Sequence, residues 1–295
     1  MVAPYLYLDG KDTPNPVAVM ARTGLRWFSL AFVLSDGGCT PVWDRQTGLG
    51  GQAAHVAARV RRAGGRVVVS IGGADGRKLG VHCPDPRSLA AAYQKVVDTY
   101  RLTAVDIDVE NAELEDARVQ DRILHALAIL GRDNANLTIS VTLPADSGGL
   151  TRRGTRMVQR AHELGSPVDV WAIMPFNLGA AHAKSADMGQ LAIRAAEHAR
   201  AQLASVYPGR SGRALDHMLG IVLMNGRTDT GELVTPRDFR LVRDYAEQHH
   251  LARLAFWSVN RDRACGRSRS ASTCSGIAQQ PWEFSRILQG AARRG

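Results

Sequence analysis

The chain has 295 residues, 45% of them hydrophobic, which suffices for a sizeable core and excludes a disordered polar chain. No apolar run reaches the roughly 18 residues of a membrane span, so no membrane partner is expected. The net charge of +9 does not mark a nucleic-acid binder: the 37 Lys and Arg are spread along the chain, Lys stands only at 11, 78, 95 and 184, and aromatic residues do not interleave with them.

Met1-Val2-Ala3-Pro4-Tyr5 leads straight into a strand over Ala3–Asp9, as in a cytoplasmic protein or in the mature part of a secreted one. Pro14 and Pro16 precede a short helix, Val17–Thr23. The apolar run Trp27–Leu34 reads as a buried strand ended by Gly37-Gly38. A helix over Gln52–Ala63 stops at Gly64-Gly65. A Val-rich strand, Arg66–Ile71, runs into Gly72-Gly73, and a helix follows over Pro86–Tyr100. The fourth strand is Ala104–Glu110. Helix Asp116–Leu130 is closed by Gly131, and strand Leu137–Leu143 by Pro144. Helix Thr151–Leu164, strand Val168–Phe176, helix Met188–Val206, strand Leu219–Met224, helix Pro236–His249, strand Leu254–Val259 and helix Pro281–Gln289 complete the series.

Eight strand–helix units follow one another without a linker, at the spacing of βα units. The expectation is an α/β fold, a single (β/α)8 TIM barrel forming one domain over residues 1–295. An eight-stranded open sheet is the alternative, but no GxGxxG follows the first strand. In a barrel, functional residues sit at the C-terminal ends of strands. That places Glu110 after strand 4, Gly72 and Gly73 after strand 3, Phe176 and Asn177 after strand 6, Asn225 after strand 7 and Trp257 near the end of strand 8. Four cysteines allow three connectivities. Cys39 and Cys83 lie in neighbouring loops of the same mouth, and Cys265 and Cys274 share the loop after strand 8, so proximity favours Cys39–Cys83 and Cys265–Cys274. Paired cysteines imply an oxidising compartment; four free thiols would imply the cytosol.

Strand 4 carries the chemistry. Thr103-Ala104-Val105-Asp106-Ile107-Asp108-Val109-Glu110 alternates acids with apolar residues, which puts Asp106, Asp108 and Glu110 on one face about 6.6 Å apart. Such a row is costly when buried, and at least one acid should hold a proton near neutral pH. An exposed edge strand or a metal site are the other readings. A metal needs further ligands from other strands, yet none of the nine histidines falls at a strand end. Acids lining a barrel mouth suit glycoside hydrolysis.

Asp106-Ile-Asp108-Val-Glu110 on strand 4 and Ser70-Ile-Gly72-Gly73 on strand 3 resemble the paired motifs of glycoside hydrolase family 18, the chitinase family. Met174-Pro-Phe176-Asn177 stands where that family has Met-x-Tyr-Asp, and Trp257 where a strand-8 Trp floors the sugar subsite. The segments Cys39-Thr-Pro-Val-Trp43 and Cys274-Ser-Gly-Ile-Ala-Gln-Gln-Pro-Trp282 look like a bacterial, secreted branch. The resemblance covers nearly the whole chain. It implies a retaining hydrolysis of β-1,4 bonds beside N-acetylglucosamine, in chitin or its oligosaccharides, with no cofactor and no metal. The substrate's own acetamido oxygen would be the nucleophile, an exception to the two-carboxylate pattern. Glu110 would be the general acid, Asp108 would hold the acetamido N–H, and Asp106 would share a proton with Asp108. Ser70, Gly72, Gly73, Met174, Phe176, Asn177, Asn225 and Trp257 would form the substrate site. The protein would be secreted and monomeric.

Two departures stand out. Thr103 and Ala104 replace the Asp and Gly that open the family's DGxDxDxE pattern, at the buried end of the strand. Phe176 and Asn177 replace Tyr and Asp on strand 6, which removes a hydroxyl that orients the acetamide. Losing such a bond costs about 1–3 kcal/mol, and the Asn177 amide can donate in its place. An endo-β-N-acetylglucosaminidase and a non-catalytic sugar-binding protein are therefore the rival readings.

Overall fold

The computed structural model describes residues 1–8, 10, 13–179, 187–266 and 271–290. Alternating and continuous apolar runs form eight parallel strands: β1 (Tyr5–Tyr7), β2 (Trp27–Ser35), β3 (Arg66–Gly72), β4 (Ala104–Asp108), β5 (Thr138–Asp146), β6 (Val170–Met174), β7 (Leu219–Met224) and β8 (Arg253–Trp257). They pair in chain order, each with the next. The ring closes where Val2 bridges Leu254 in parallel, with the Ala3 N–H donating to the Leu254 carbonyl at 2.9 Å. The fold is a single (β/α)8 barrel.

Among the described residues, eight helices of seven or more residues lie outside it: α1 (Pro16–Thr23), α2 (Gln52–Arg62), α3 (Pro86–Tyr100), α4 (Ala117–Asp133), α5 (Arg152–Leu164), α6 (Met188–Val206), α7 (Pro236–Gln248) and α8 (Glu283–Gln289). Their starts follow local chemistry. Pro occupies the first turn of α1, α3 and α7, where no N–H is needed. Asn15, Asp85, Asp116 and Thr151 accept N–H groups of the first turns of α1, α3, α4 and α5. Thr235 and Asp238 form a reciprocal capping box on α7.

Some boundaries differ from expectation, each for a local reason. Gly131 does not close α4. The helix runs on to Asp133, and a Cβ at Gly131 would meet the Pro167 ring at 2.3 Å, so this glycine serves close packing. Pro144 does not stop β5, because the strand continues past the barrel as a hairpin against Gly149–Leu150. The fourth strand ends at Asp108, not at Glu110, since Asn111–Glu115 winds a short helix directly after it. Strands expected over Val168–Phe176 and Leu254–Val259 are shorter, and Asp9, the expected end of the first strand, lies outside the described residues.

The helix–sheet layer forms the main apolar core, and the barrel interior holds a smaller one of Tyr5, Ala31, Ala172, Met174, Val222 and Ala255. The interior also encloses Ser29, Asp106, Thr142 and Arg253, all buried. Both expected disulfides form, Cys39–Cys83 and Cys265–Cys274. The first ties the loop after β2 to the loop after β3. No described helix is long and apolar enough to cross a membrane.

Candidate active site

Alternation along β4 sends Val105 and Ile107 into the helix layer and Asp106 and Asp108 into the barrel. Register fixes their neighbours: Ser70 and Gly72 of β3 lie opposite Asp106 and Asp108, with Ser140 and Thr142 of β5 on the other side.

Asp106 sits fully buried at the centre. Its Oδ2 accepts from the Tyr5 hydroxyl and from Ser70 Oγ, both at 2.8 Å; its Oδ1 accepts from Thr142 Oγ1 at 2.7 Å and Arg253 Nη1 at 2.5 Å. Burial alone would raise its pKa, but the Arg253 guanidinium and these hydrogen bonds outweigh burial and hold it below the usual carboxylate range. Arg253 is buried as well, donates to Ser29 Oγ at 3.0 Å, and lies 5.5 Å from the centre of the Tyr5 ring. Burial disfavours its charge, yet Asp106 keeps its pKa above the ordinary value. Asp106 is thus held ionised by four donors, none of them Asp108.

Asp108 is 2% exposed and its Oδ1 has no hydrogen-bond partner. Burial, then the charges of Glu110 and Asp106, push its pKa well above the usual value against the pull of Arg253 and Lys78. Glu110 lies two residues further on, at the N-cap position of the short helix Asn111–Glu115. Burial raises its pKa to about 7, opposed by Lys78 and supported by Asp75 and Asp229. β4 therefore presents a fixed anion below, a proton-holding Asp108 above it, and a glutamic acid poised near neutrality at the mouth.

Asp108 and Glu110 open into a cleft of about 400 Å³, a size that suits a small-ligand site. Its floor is aromatic. Trp257 stacks on Phe32 with ring centroids 5.3 Å apart and planes 14° from parallel, and meets the edges of Tyr5 and Tyr7 at 6.0 and 5.9 Å. Partly exposed, it offers a flat apolar face to a ligand. Phe176, Met174 and Asn177 complete the wall from β6. Larger hollows lie against Trp43 and Gly48–Gly51 and against Arg227 and Arg261, but neither contains a β4 carboxylate.

The structure brings Asp108, Glu110, Met174, Phe176, Asn177 and Trp257 to one cleft. Asp106 and Ser70 lie beneath it. Gly72 and Gly73 are buried behind it. Gly72 has φ +115°, and a Cβ there would fall 2.1 Å from the Asp108 carbonyl oxygen, while the Gly73 N–H donates to that same oxygen at 2.9 Å. Asn225 is fully buried; its Oδ1 accepts the Ser258 N–H at 3.0 Å and so fixes the backbone just after Trp257. Asn177 exchanges two hydrogen bonds with Asp229, each 3.0 Å, one from its amide to the Asp229 carboxylate and one from the Asp229 N–H to its Oδ1. Among the described residues no group of three His, Cys, Asp or Glu side chains is arranged to hold a metal ion.

Sequence reasoning missed Tyr5, Thr142, Arg253, Lys78, Asp44, Asp75 and Asp229. Arg253 stands just before an apolar run and reads as an exposed strand start. Asp44, whose carboxylate accepts from the Tyr7 hydroxyl, and Asp229 lie in irregular loops with no periodicity to place them.

A parallel eight-stranded barrel with a buried acid pair at the tip of β4 and an aromatic floor from β8 defines a glycosidase-type site. The comparisons with known proteins are specific. The chain is 30% identical to the catalytic domain of a hyperthermophilic chitinase from Pyrococcus furiosus, over 99% of this chain and 94% of that one, with a TM-score of 0.90. It is 29% identical over 282 residues to a probable bifunctional chitinase/lysozyme of Escherichia coli K12, covering 91% of this chain and 31% of that protein. It is 28% identical over 274 residues to endochitinase 11 of Metarhizium anisopliae, covering 88% and 52%. No family model matches. The chain belongs to the chitinases of glycoside hydrolase family 18. It spans about a third and about half the length of the two curated relatives.

Proposed function

We propose that this barrel hydrolyses β-1,4 bonds beside N-acetylglucosamine in chitin or chitooligosaccharides, with retention and with help from the substrate. The observation that carries the reading is Glu110, an acid with a pKa of about 7 at the rim of a cleft floored by Trp257. A sugar ring stacked on Trp257 places its scissile oxygen toward Glu110, which gives that oxygen its proton. The acetamido carbonyl oxygen attacks C1, and the C1–O bond pair leaves with the departing sugar. Asp108, which lines the cleft, takes the acetamido N–H on its carboxyl group and so orients the nucleophile. Water then attacks C1, the oxazolinium C1–O bond breaks with its pair returning to the acetamide oxygen, and the water's proton passes to the Glu110 carboxylate.

Asp106, saturated by its four donors, anchors this machinery instead of exchanging protons in it. Phe176 supplies apolar wall where a hydroxyl would orient the acetamide. Asn177 has one amide N–H committed to Asp229, leaving the other to serve the sugar. The relatives named as chitinases support the substrate class, and the two disulfides support a secreted protein working in an oxidising compartment.

The test is Glu110→Gln assayed on a fluorogenic chitobioside. It should lose hydrolysis by at least about a hundredfold, the scale of general-acid catalysis, with melting behaviour unchanged. Undiminished turnover would refute the assignment. Release of sugar from a high-mannose glycoprotein in preference to chitin would instead favour the N-glycan reading.

A further inference from the structure

Lys78 stands just beyond the cleft, in the segment that follows β3, and is 5% exposed. A buried ammonium is costly unless something holds it. Its Nζ donates to two main-chain carbonyls, those of Gly73 and Asp75 at the cleft rim. Those two residues flank Ala74, and both Ala74 and Asp75 line the cleft. The tie is continuous with β4, because the Gly73 N–H donates to the Asp108 carbonyl. The side chain thus fastens its own segment onto the Gly73–Asp75 rim, and the Gly73 main chain carries the link to the strand tip that bears Glu110.

Four acids also act on Lys78 through their charge. Asp75 comes from its own segment, Asp108 and Glu110 from the β4 tip, and Glu113 from the short helix Asn111–Glu115. Glu113 is 2% exposed, accepts the Gly80 N–H at 2.9 Å, and has an unpartnered Oε2. Glu110 in turn faces Asp108, Asp75, Asp229 and, as the cation that acts on it, Lys78. Of the other buried cations among the described residues, Arg253 is engaged lower down by Asp106, and Arg261 donates to the carbonyls of Asn225, Arg227 and Ala271. Because the ammonium donates to carbonyls, it reaches Glu110 through its field rather than through a bond.

We propose that Lys78 is a positioning residue for the acid Glu110: it clamps the Gly73–Asp75 rim and supplies the buried positive charge that limits how far Glu110 keeps its proton as pH rises. This rests on Glu110 being the acid. Burial pushes Glu110 up to about 7 and Lys78 is what restrains that rise, so removing the cation should move the group further up.

The experiment is the pH profile of kcat/KM on a fluorogenic chitooligosaccharide for the wild type, Lys78→Met, Lys78→Arg, Glu113→Gln and the double variant Lys78→Met/Glu113→Gln. The double variant leaves no buried charge at either site, so it remains informative if Lys78→Met alone folds poorly. In Lys78→Met, and in the double variant relative to Glu113→Gln, the alkaline limb should move up by about one pH unit, while Lys78→Arg keeps the wild-type limb. A limb that stays in place while kcat falls, or that moves equally in Lys78→Arg, overturns the proposal and leaves Lys78 a structural clamp. Full turnover by Glu110→Gln, measured alongside, would instead refute the reading of Glu110.

Discussion

The pairing of Asp106 with Arg253 decides what a single side chain is worth in this barrel. Both are fully buried, and the charges are 2.5 Å apart. Removing one partner leaves an uncompensated charge in a fully buried site, a cost of about 3–5 kcal/mol. Arg253→Met should therefore lower stability to urea by that amount at pH 7, while Arg253→Met/Asp106→Asn should recover part of it. The pH dependence has a definite sign. The folded-state pKa of Asp106 is depressed, so its contribution is present above the unfolded value of about 4 and is lost as pH falls through the folded one. Arg253→Met removes the main source of that depression. Its acid unfolding, followed by circular dichroism, should begin at higher pH than in the wild type. An unchanged acid midpoint would show that the hydrogen bonds from Tyr5, Ser70 and Thr142 alone hold Asp106 ionised.

At the level of elements, the alternation of strand and helix was legible because each unit carries its own local signals: Pro16, Pro86 and Pro236 at helix starts, β-branched runs in β3 and β4, Gly165 after α5. The acids of β4 were legible for the same reason, since period 2 is a property of neighbouring residues. What stayed hidden depends on the barrel closing. Arg253 meets Asp106 across 147 residues and Tyr5 meets it across 101, so neither contact leaves a local trace. The placement of Ser70, Gly72, Gly73 and Asn225 behind the cleft follows similarly from strand register and not from motif spacing. The cysteine pairs are an intermediate case, readable once loop order around the mouth is assumed. Their unequal spans yield a prediction. Cys39–Cys83 closes 44 residues and Cys265–Cys274 only nine. In the chain-entropy account these are worth about 4 and about 3 kcal/mol. Replacing the first pair by serines should lower the denaturant midpoint more than replacing the second. The reverse order would mean that strain or residual denatured structure, not loop closure, governs their effect.

For the whole molecule, the charge distribution matters more than its sum. The chain carries +9 overall, yet the cleft wall holds Asp44, Asp75, Asp108, Glu110 and Asp229, and none of the described residues lining it is Lys, Arg or His. Charges spread over the outer surface are screened beyond about 8–10 Å at physiological salt, so a ligand in the cleft responds mainly to the acids beside it. Two of these, Glu110 and Asp108, hold protons near neutrality, but Asp75 and Asp229 sit on exposed loops at the rim. A neutral, fully acetylated oligosaccharide gains little from that field. An oligomer with some free amino groups carries ammonium charges and gains more. Binding of a partly deacetylated hexamer to Glu110→Gln, followed by calorimetry, should therefore weaken between 20 mM and 500 mM salt by several-fold, on the order expected for one or two exposed charge contacts. Binding of the fully acetylated hexamer should stay level across the same range. Asp75→Asn and Asp229→Asn should each reduce the salt slope for the cationic ligand alone. Equal salt responses for the two hexamers would show that the net +9 of the surface, and not the acidic wall, governs approach to the cleft.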